Sequence, residues 1–296
     1  MARSLVLKAP AKINLGLTVL SRREDGFHDL QSVMQQISLF DTLVFEPVSG
    51  KGLHFFCTDQ NLSGPENLVR KAAALLEGEV GRSLPGIKIT LYKNIPVEAG
   101  LAGGSADCAA ALAGLNRLWQ LKYDHLSLQK LGLRLGSDVP FCLQGGTALA
   151  GGRGEKLEQL PDLPYFWVVL ALPEALRLST AAVYQNFDKT RMGEPEIAAL
   201  VEAIKNGNRS KILSWLSQDL TNTLETAKIP GSDILLETKY RLQKKGLQPI
   251  LSGSGPALFL LMTEYESARK AARMIEEENC RAYFCWTCGK KAWQEG

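Results

Sequence analysis

Pro96-Val97-Glu98-Ala99-Gly100-Leu101-Ala102-Gly103-Gly104-Ser105-Ala106-Asp107 is the stretch that decides how this chain is read. Small residues crowd it, and an alanine-rich run to Leu118 follows at once. Glycine permits tight turns and lets backbone N–H groups come close to a ligand. A helix that begins here aims its unpaired N–H groups and the positive end of its dipole at whatever the loop holds, and the usual occupant of such a cradle is phosphate. The preceding residues 86–94 alternate apolar and polar, as a strand does. Strand, glycine loop and helix in succession suggest a nucleotide enzyme. The plainer alternative is a glycine turn that only starts a helix. The commoner phosphate motifs are absent: no G-x-x-x-x-G-K-[ST], no G-x-G-x-x-G after a strand, no H-R-D or D-F-G.

The rest of the chain narrows the class. At 296 residues it holds two domains or one large one. Its 45% hydrophobic and 22% charged residues are ordinary for a globular enzyme, and a net charge of +3 is too mild to argue for nucleic acid. The longest apolar runs, such as 166–172, fall far short of a membrane span, and residues 1–8 carry no signal-type apolar stretch, so a cytoplasmic enzyme is the expectation. The six cysteines then read as free thiols, and Cys285-Trp-Thr-Cys288 lacks the second pair a zinc site wants. Residues 13–20 alternate as a half-buried strand, 31–45 read as one or two more, and 67–77 has helical spacing. Strands and helices mix, which gives an α+β class.

Several positions can carry chemistry, each with a bland alternative. Phosphoryl transfer needs positioning, cations and a group to take the attacking hydroxyl's proton. Lys12 and Asn14 share the polar face of the first long strand, where they either converge on a site or face solvent. Asp138 sits on a connection stiffened by Pro140; it is either a proton acceptor or the N-cap of the next segment. Leu251-Ser-Gly-Ser-Gly-Pro-Ala257 is a second small-residue loop, a close approach to a ligand or a plain turn. Gly26-Phe27-His28 pairs an aromatic ring with an imidazole, for stacking on a base or for structure alone.

In order and spacing these pieces resemble the GHMP kinases. Pro10-Ala-Lys-Ile-Asn14 matches the family's first motif, residues 96–105 its P-x-x-x-G-L-[GA]-G-[GS]-S loop, and Ser252-Gly-Ser-Gly255 its C-terminal S-G-[ST]-G loop. Arg23-Glu-Asp-Gly-Phe-His-Asp-Leu30 is similar to a turn found in the branch that acts on a cytidine diphosphate sugar alcohol. The resemblance implies a two-domain fold: an N-terminal domain like the second domain of ribosomal protein S5 over 1–155, and a ferredoxin-like one over 156–296. It implies ATP-dependent phosphorylation of a methylerythritol 2-hydroxyl on that cytidyl compound, in the non-mevalonate route to isoprenoid precursors. Asp138 would be the base and Lys12 its cationic neighbour. Pro96, Gly100, Leu101, Ala102, Gly103, Gly104, Ser105 and Ala106 would cradle the ATP phosphates, with Asn67, Leu68 and Lys93 around adenosine. Asn14, Thr180, Gly253 and Ser254 would place the substrate. His28 would read the cytosine edge with Phe27 packed beside it, and Tyr184 would stack on the base.

ATP would bring Mg2+, for which no acidic ligand stands out; Ser105 is the candidate. The implied partners are these small molecules, with no nucleic acid and no membrane. Ala102 stands where the family has a glycine, Phe27 where it commonly has a tyrosine, and Glu98 is expected to face solvent. A mevalonate or homoserine kinase is the alternative within the family, but those substrates have no base to stack. A catalytically dead nucleotide-binding protein is argued against by the presence of both Lys12 and Asp138.

Overall fold

The computed structural model describes residues 4–174 and 176–290. The first part of the chain builds one sheet from β1 (Leu5–Arg22), β2 (His28–Lys51), β3 (Leu53–Cys57), β4 (Pro85–Tyr92), β5 (Thr147–Gly151) and β6 (Lys156–Gln159). The order is β3-β4-β2-β5-β6, with β1 laid along β2. Residues 31–45 therefore belong to a single long strand. β3 and β4 run parallel through the crossover helix α1 (Leu68–Val80), and the other pairings are antiparallel. Helices α2 (Gly103–Leu118), α3 (His125–Leu133) and α4 (Val139–Gln144) pack on this sheet. α2 is alanine-rich and buried along most of its length. It fits closely because Gly114 lets Phe45 in; an added Cβ there would meet the ring at 2.5 Å.

The second part has a four-stranded antiparallel sheet in the order β10-β7-β9-β8, from β7 (Trp167–Pro173), β8 (Ile250–Leu251), β9 (Leu258–Met262) and β10 (Cys280–Trp286). Helices α5 (Thr180–Asn186), α6 (Ala198–Lys205), α7 (Arg209–Leu216), α8 (Ser232–Lys244) and α9 (Tyr265–Glu276) accompany it. Cys285 lies buried in β10, and all six cysteines are free, as the sequence suggested. β6 pairs with β5, so the first sheet runs on to Gln159.

Three cores result. One belongs to the first sheet and its helices and one to the second part together with Leu17 and Val19 of β1; a third joins Ile13, Leu15, Val33 and Ile37 to Phe166, Val168, Trp215 and Phe259. That third core corrects the reading of β1. Its polar face is not solvated: Lys12, Asn14 and Thr18 are all buried, because the second part of the chain covers them. Gly16 makes room for that cover, since a Cβ there would lie 2.6 Å from Trp215.

Candidate active site

The glycine loop leaves β4 and enters α2 through left-handed backbone at Glu98 (φ 55°), Gly100 (φ 76°) and Ala102 (φ 57°). The first backbone bond of α2 runs from Ala106 N–H to Ala102 O, which leaves the N–H groups of Gly103, Gly104 and Ser105 pointing out of the helix end. They border a cavity of about 430 Å3 that Pro96, Leu101 and Ala102 also line. Ala106 corrects the expectation: it is not in the wall of this cavity, its methyl is in the first core and its N–H is already bonded. Glu98 is exposed at the rim, as expected. Gly100 could be no other residue without rearrangement, because a Cβ would sit 2.3 Å from Ser252 O. The second small-residue loop is thus pressed directly on the first. Asn222 holds it there, donating from Nδ2 to Leu251 O and Gly253 O at 3.1 and 2.8 Å.

Register shifts between Pro10 and Lys12 and between Asn14 and Gly16 break the β1–β2 ladder on either side of two site residues. Such bulges re-aim side chains. Lys12 Nζ donates to Asn14 Oδ1 at 2.6 Å and to Gly100 O at 3.3 Å, and lies 3.8 Å from Asp138 Oδ2. Asn14 is oriented from behind, donating from Nδ2 to Ser32 Oγ at 2.7 Å, while Ser32 donates to Gly16 O at 2.8 Å. Asp138 occupies the N-cap position of α4, yet its side chain makes no capping bond and stays 31% exposed beside the buried lysine. The capping alternative fails, and a free carboxylate faces the cavity.

A second cavity, of about 550 Å3, is lined by Phe27, His28, Thr180 and Tyr184. His28 stacks on Tyr184 (centroids 5.7 Å, planes 28° apart) and meets the edge of Phe187 at 5.6 Å. Burial, helped by Arg22 and Lys189, lowers the imidazole's pKa, so the ring is neutral at physiological pH. Enclosure, with the Asp138 charge, raises that of the Tyr184 phenol. Phe27 does not pack beside His28. It is 51% exposed, and the Arg153 guanidinium lies over its ring at 4.5 Å. Thr180 and Ser254 share a hydroxyl bond of 2.8 Å, and Gly253 lies with them at the wall of the first cavity. Leu30, Ser105, Asp138, Arg153, Thr180 and Tyr184 line both cavities.

At the far end of the first cavity, Asn67 caps α1, accepting from Val69 N–H at 2.9 Å, and donates to Leu62 O at 2.7 Å. Its amide is therefore committed to structure, with Leu68 half-buried next to it. Lys93 also lines this end, but its ammonium is ion-paired with Asp41 and donates to Asp107 Oδ2 at 2.8 Å. Burial opposes the Lys93 charge, but Asp107 and Asp41 outweigh it and raise its pKa. Burial pushes the Asp107 carboxyl up to about 8, against the pull of Lys93. Asp107 Oδ1 is buried without a hydrogen-bond partner. The sequence reading missed Asp41, Asp107 and Arg153. A lone acid was the available signal for the first two, beside the glycine loop for Asp107 and within the apolar pattern of β2 for Asp41. Arg153 stands alone between glycines, in Gly151-Gly-Arg-Gly154, with no spacing that marks it as a ligand-binding cation.

Comparison with known proteins agrees with this geometry. The family model for the GHMP kinases N terminal domain matches residues 67–146. A 4-diphosphocytidyl-2-C-methyl-D-erythritol kinase from Moorella thermoacetica is 43% identical over 92% of this chain and 95% of its own. A crystal structure of 4-(cytidine 5'-diphospho)-2C-methyl-D-erythritol kinase superposes with a TM-score of 0.81 at 38% identity, covering 96% of this chain and all of that one. The chain belongs to the 4-diphosphocytidyl-2-C-methyl-D-erythritol kinases of the GHMP family. A homoserine kinase from Cytophaga hutchinsonii (TM-score 0.73, 98% of this chain and 96% of that one) shares the fold alone at 19% identity. As a GHMP kinase the chain is an enzyme with ATP as co-substrate. No helix among the described residues is long and apolar enough to cross a membrane.

Proposed function

We propose that this kinase transfers the γ-phosphoryl group of ATP to the 2-hydroxyl of 4-(cytidine 5'-diphospho)-2-C-methyl-D-erythritol, a step toward isoprenoid precursors. The observation that carries the reading is Asp138: one free carboxylate borders both the phosphate-loop cavity and the aromatic cavity. ATP lies in the first, its phosphates on the N–H groups of Gly103, Gly104 and Ser105 at the helix N-terminus. The cytidyl compound lies in the second, its base against His28 and Tyr184. The neutral imidazole offers one donor and one acceptor to the base edge.

The substrate hydroxyl gives its proton to Asp138 as its oxygen bonds to the γ-phosphorus and the bond to ADP breaks. Lys12, 3.8 Å from Asp138, stabilises the charge that develops on the attacking oxygen. Asn14 and Gly100 O fix the direction of Lys12. Mg2+ enters with ATP. Among the described residues no three His, Cys, Asp or Glu groups cluster to hold it; Ser105, at the start of α2 and in the wall of both cavities, is the residue that would hold it against the phosphates, where it would offset their charge. We take the chain as two domains, with the changeover after β6 at Gln159 rather than at 155. The six free cysteines suit a cytoplasmic location.

An ADP-release assay tests the reading, with the cytidyl compound set against mevalonate, homoserine and galactose. Turnover with the cytidyl compound alone is expected. Turnover with a control instead would keep the phosphate loop and overturn the cytosine site. Asp138→Asn should lower turnover by about 10³-fold with ATP affinity nearly unchanged; a variant with near-normal turnover would sink the base assignment.

A further inference from the structure

Positive charge is scarce where the proposed substrates bring several negative charges. Three cations line the first cavity: Lys12, Lys93 and Arg153. Lys12 is engaged by Asn14, Gly100 O and Asp138, and Lys93 is held between two carboxylates. In the aromatic cavity Arg153 is the only cationic side chain among the described lining residues, since His28 is neutral. Its guanidinium makes no ion pair among the described residues. Instead it lies over Phe27, 4.5 Å from the ring centroid, and its side-chain N–H groups make no hydrogen bond among the described residues.

The turn that carries it is fixed. Leu30 N–H donates to Gly152 O at 2.7 Å, and Arg153 N–H donates to Glu155 Oε2 at 2.6 Å. Gly152 (φ 65°) and Gly154 (φ 111°) take backbone that other residues rarely adopt. The same turn runs beside the base: a Cβ on Gly154 would lie 4.0 Å from Asp138 Oδ1. The arginine therefore shares the wall of the aromatic cavity with the Phe27 ring it covers and with the carboxylate that takes the proton, which its own turn adjoins. In a cytidine diphosphate sugar alcohol, the group between base and reacting hydroxyl is the diphosphate.

We propose that Arg153 binds the diphosphate of the second substrate, with Phe27 holding the guanidinium plane in place for it. This rests on the cytidyl reading of the aromatic cavity. The fork of N–H donors matches a diphosphate's paired oxygens better than a point charge would. The positive charge also screens that diphosphate from the γ-phosphate of ATP, which must approach within bonding distance of the neighbouring hydroxyl.

The test is calorimetric binding of cytidine and of CDP to the full-length protein saturated with ADP, and of ADP alone, in the wild type, Arg153→Met and Arg153→Lys. The wild type should prefer CDP to cytidine by about 10- to 100-fold, the range expected for charge-assisted hydrogen bonds to one guanidinium. Arg153→Met should bind the two alike, with cytidine and ADP affinities unchanged; these also report that it is folded. Arg153→Lys should recover part of the preference. A Met variant that keeps the full CDP preference overturns the proposal, as does one that loses ADP affinity instead, which would assign the arginine to ATP. Wild-type protein that binds cytidine but gains nothing from the diphosphate overturns the arginine assignment alone. Wild-type protein that binds neither overturns the cytidyl reading, and the arginine assignment falls with it.

Discussion

Asp107 shows how much a single buried residue sets. It shares one lysine with Asp41, and both carboxylates are almost fully enclosed. Asp41 has other donors, including Ile95 N–H at 2.9 Å, whereas Asp107 leaves Oδ1 unpartnered. Two charged acids on one ammonium would leave a net negative charge in a low-dielectric site, and burial resolves this by keeping Asp107 protonated up to about pH 8. In the unfolded chain an aspartate titrates near pH 3.9. Between those values the folded state binds the extra proton, so stability falls as pH rises, by at most about 1.4 kcal/mol per unit, and levels off above pH 8. Asp107→Asn keeps the shape and an oxygen for Lys93 but cannot ionise. Its urea midpoint should match the wild type near pH 4 and exceed it increasingly up to pH 8. Parallel profiles for the two proteins across that window would mean that Asp107 ionises normally.

At the scale of elements, strand β4, the glycine loop and helix α2 were legible because each is dictated locally. Alternation makes the strand, small residues permit the turn, and alanine favours the helix. Ala102 is where the local logic is strained. It stands where the family has a glycine, and it takes φ 57° at the start of α2. Left-handed backbone is unfavourable for alanine, and alanine is a poor N-cap. Ala102→Gly should therefore stabilise the protein by about 0.5–1 kcal/mol, read as a rise of about 1–4 °C in Tm; an unchanged or lower Tm would show that the methyl earns its place by packing. Illegible features depend on chain far away in sequence. The Lys93–Asp41 pair spans 52 residues, and the burial of Lys12 and Asn14 needs the Ser252–Gly255 loop. Asn14 N–H reaches Ser252 Oγ, at 3.4 Å, across 238 residues. Periodicity assigns a residue to a face of a strand and says nothing of what covers that face.

For the whole molecule the consequence is cooperativity. The third core takes Ile13, Leu15, Val33, Ile37 and Leu101 from the first part of the chain and Phe166, Val168, Ile197, Trp215 and Phe259 from the second. Backbone bonds cross the same boundary, from Leu17 N–H to Thr221 O at 3.0 Å and from Ala257 N–H to Ala99 O at 3.1 Å. Separating the parts would bare several large apolar side chains, each worth about 1.5–3 kcal/mol when buried, and would pull the two loops of the site apart. A fold of two independent units would unfold in two steps, whereas this one should unfold in one. In a Trp119→Phe background, tryptophan fluorescence reports mainly Trp167, Trp215 and Trp286 of the second part, while far-UV circular dichroism reports the whole chain. Urea transitions from the two probes should coincide, with and without saturating ATP, and shift together when ATP is added. A fluorescence transition that precedes the circular dichroism transition would mean that the second part opens alone, and the site with it.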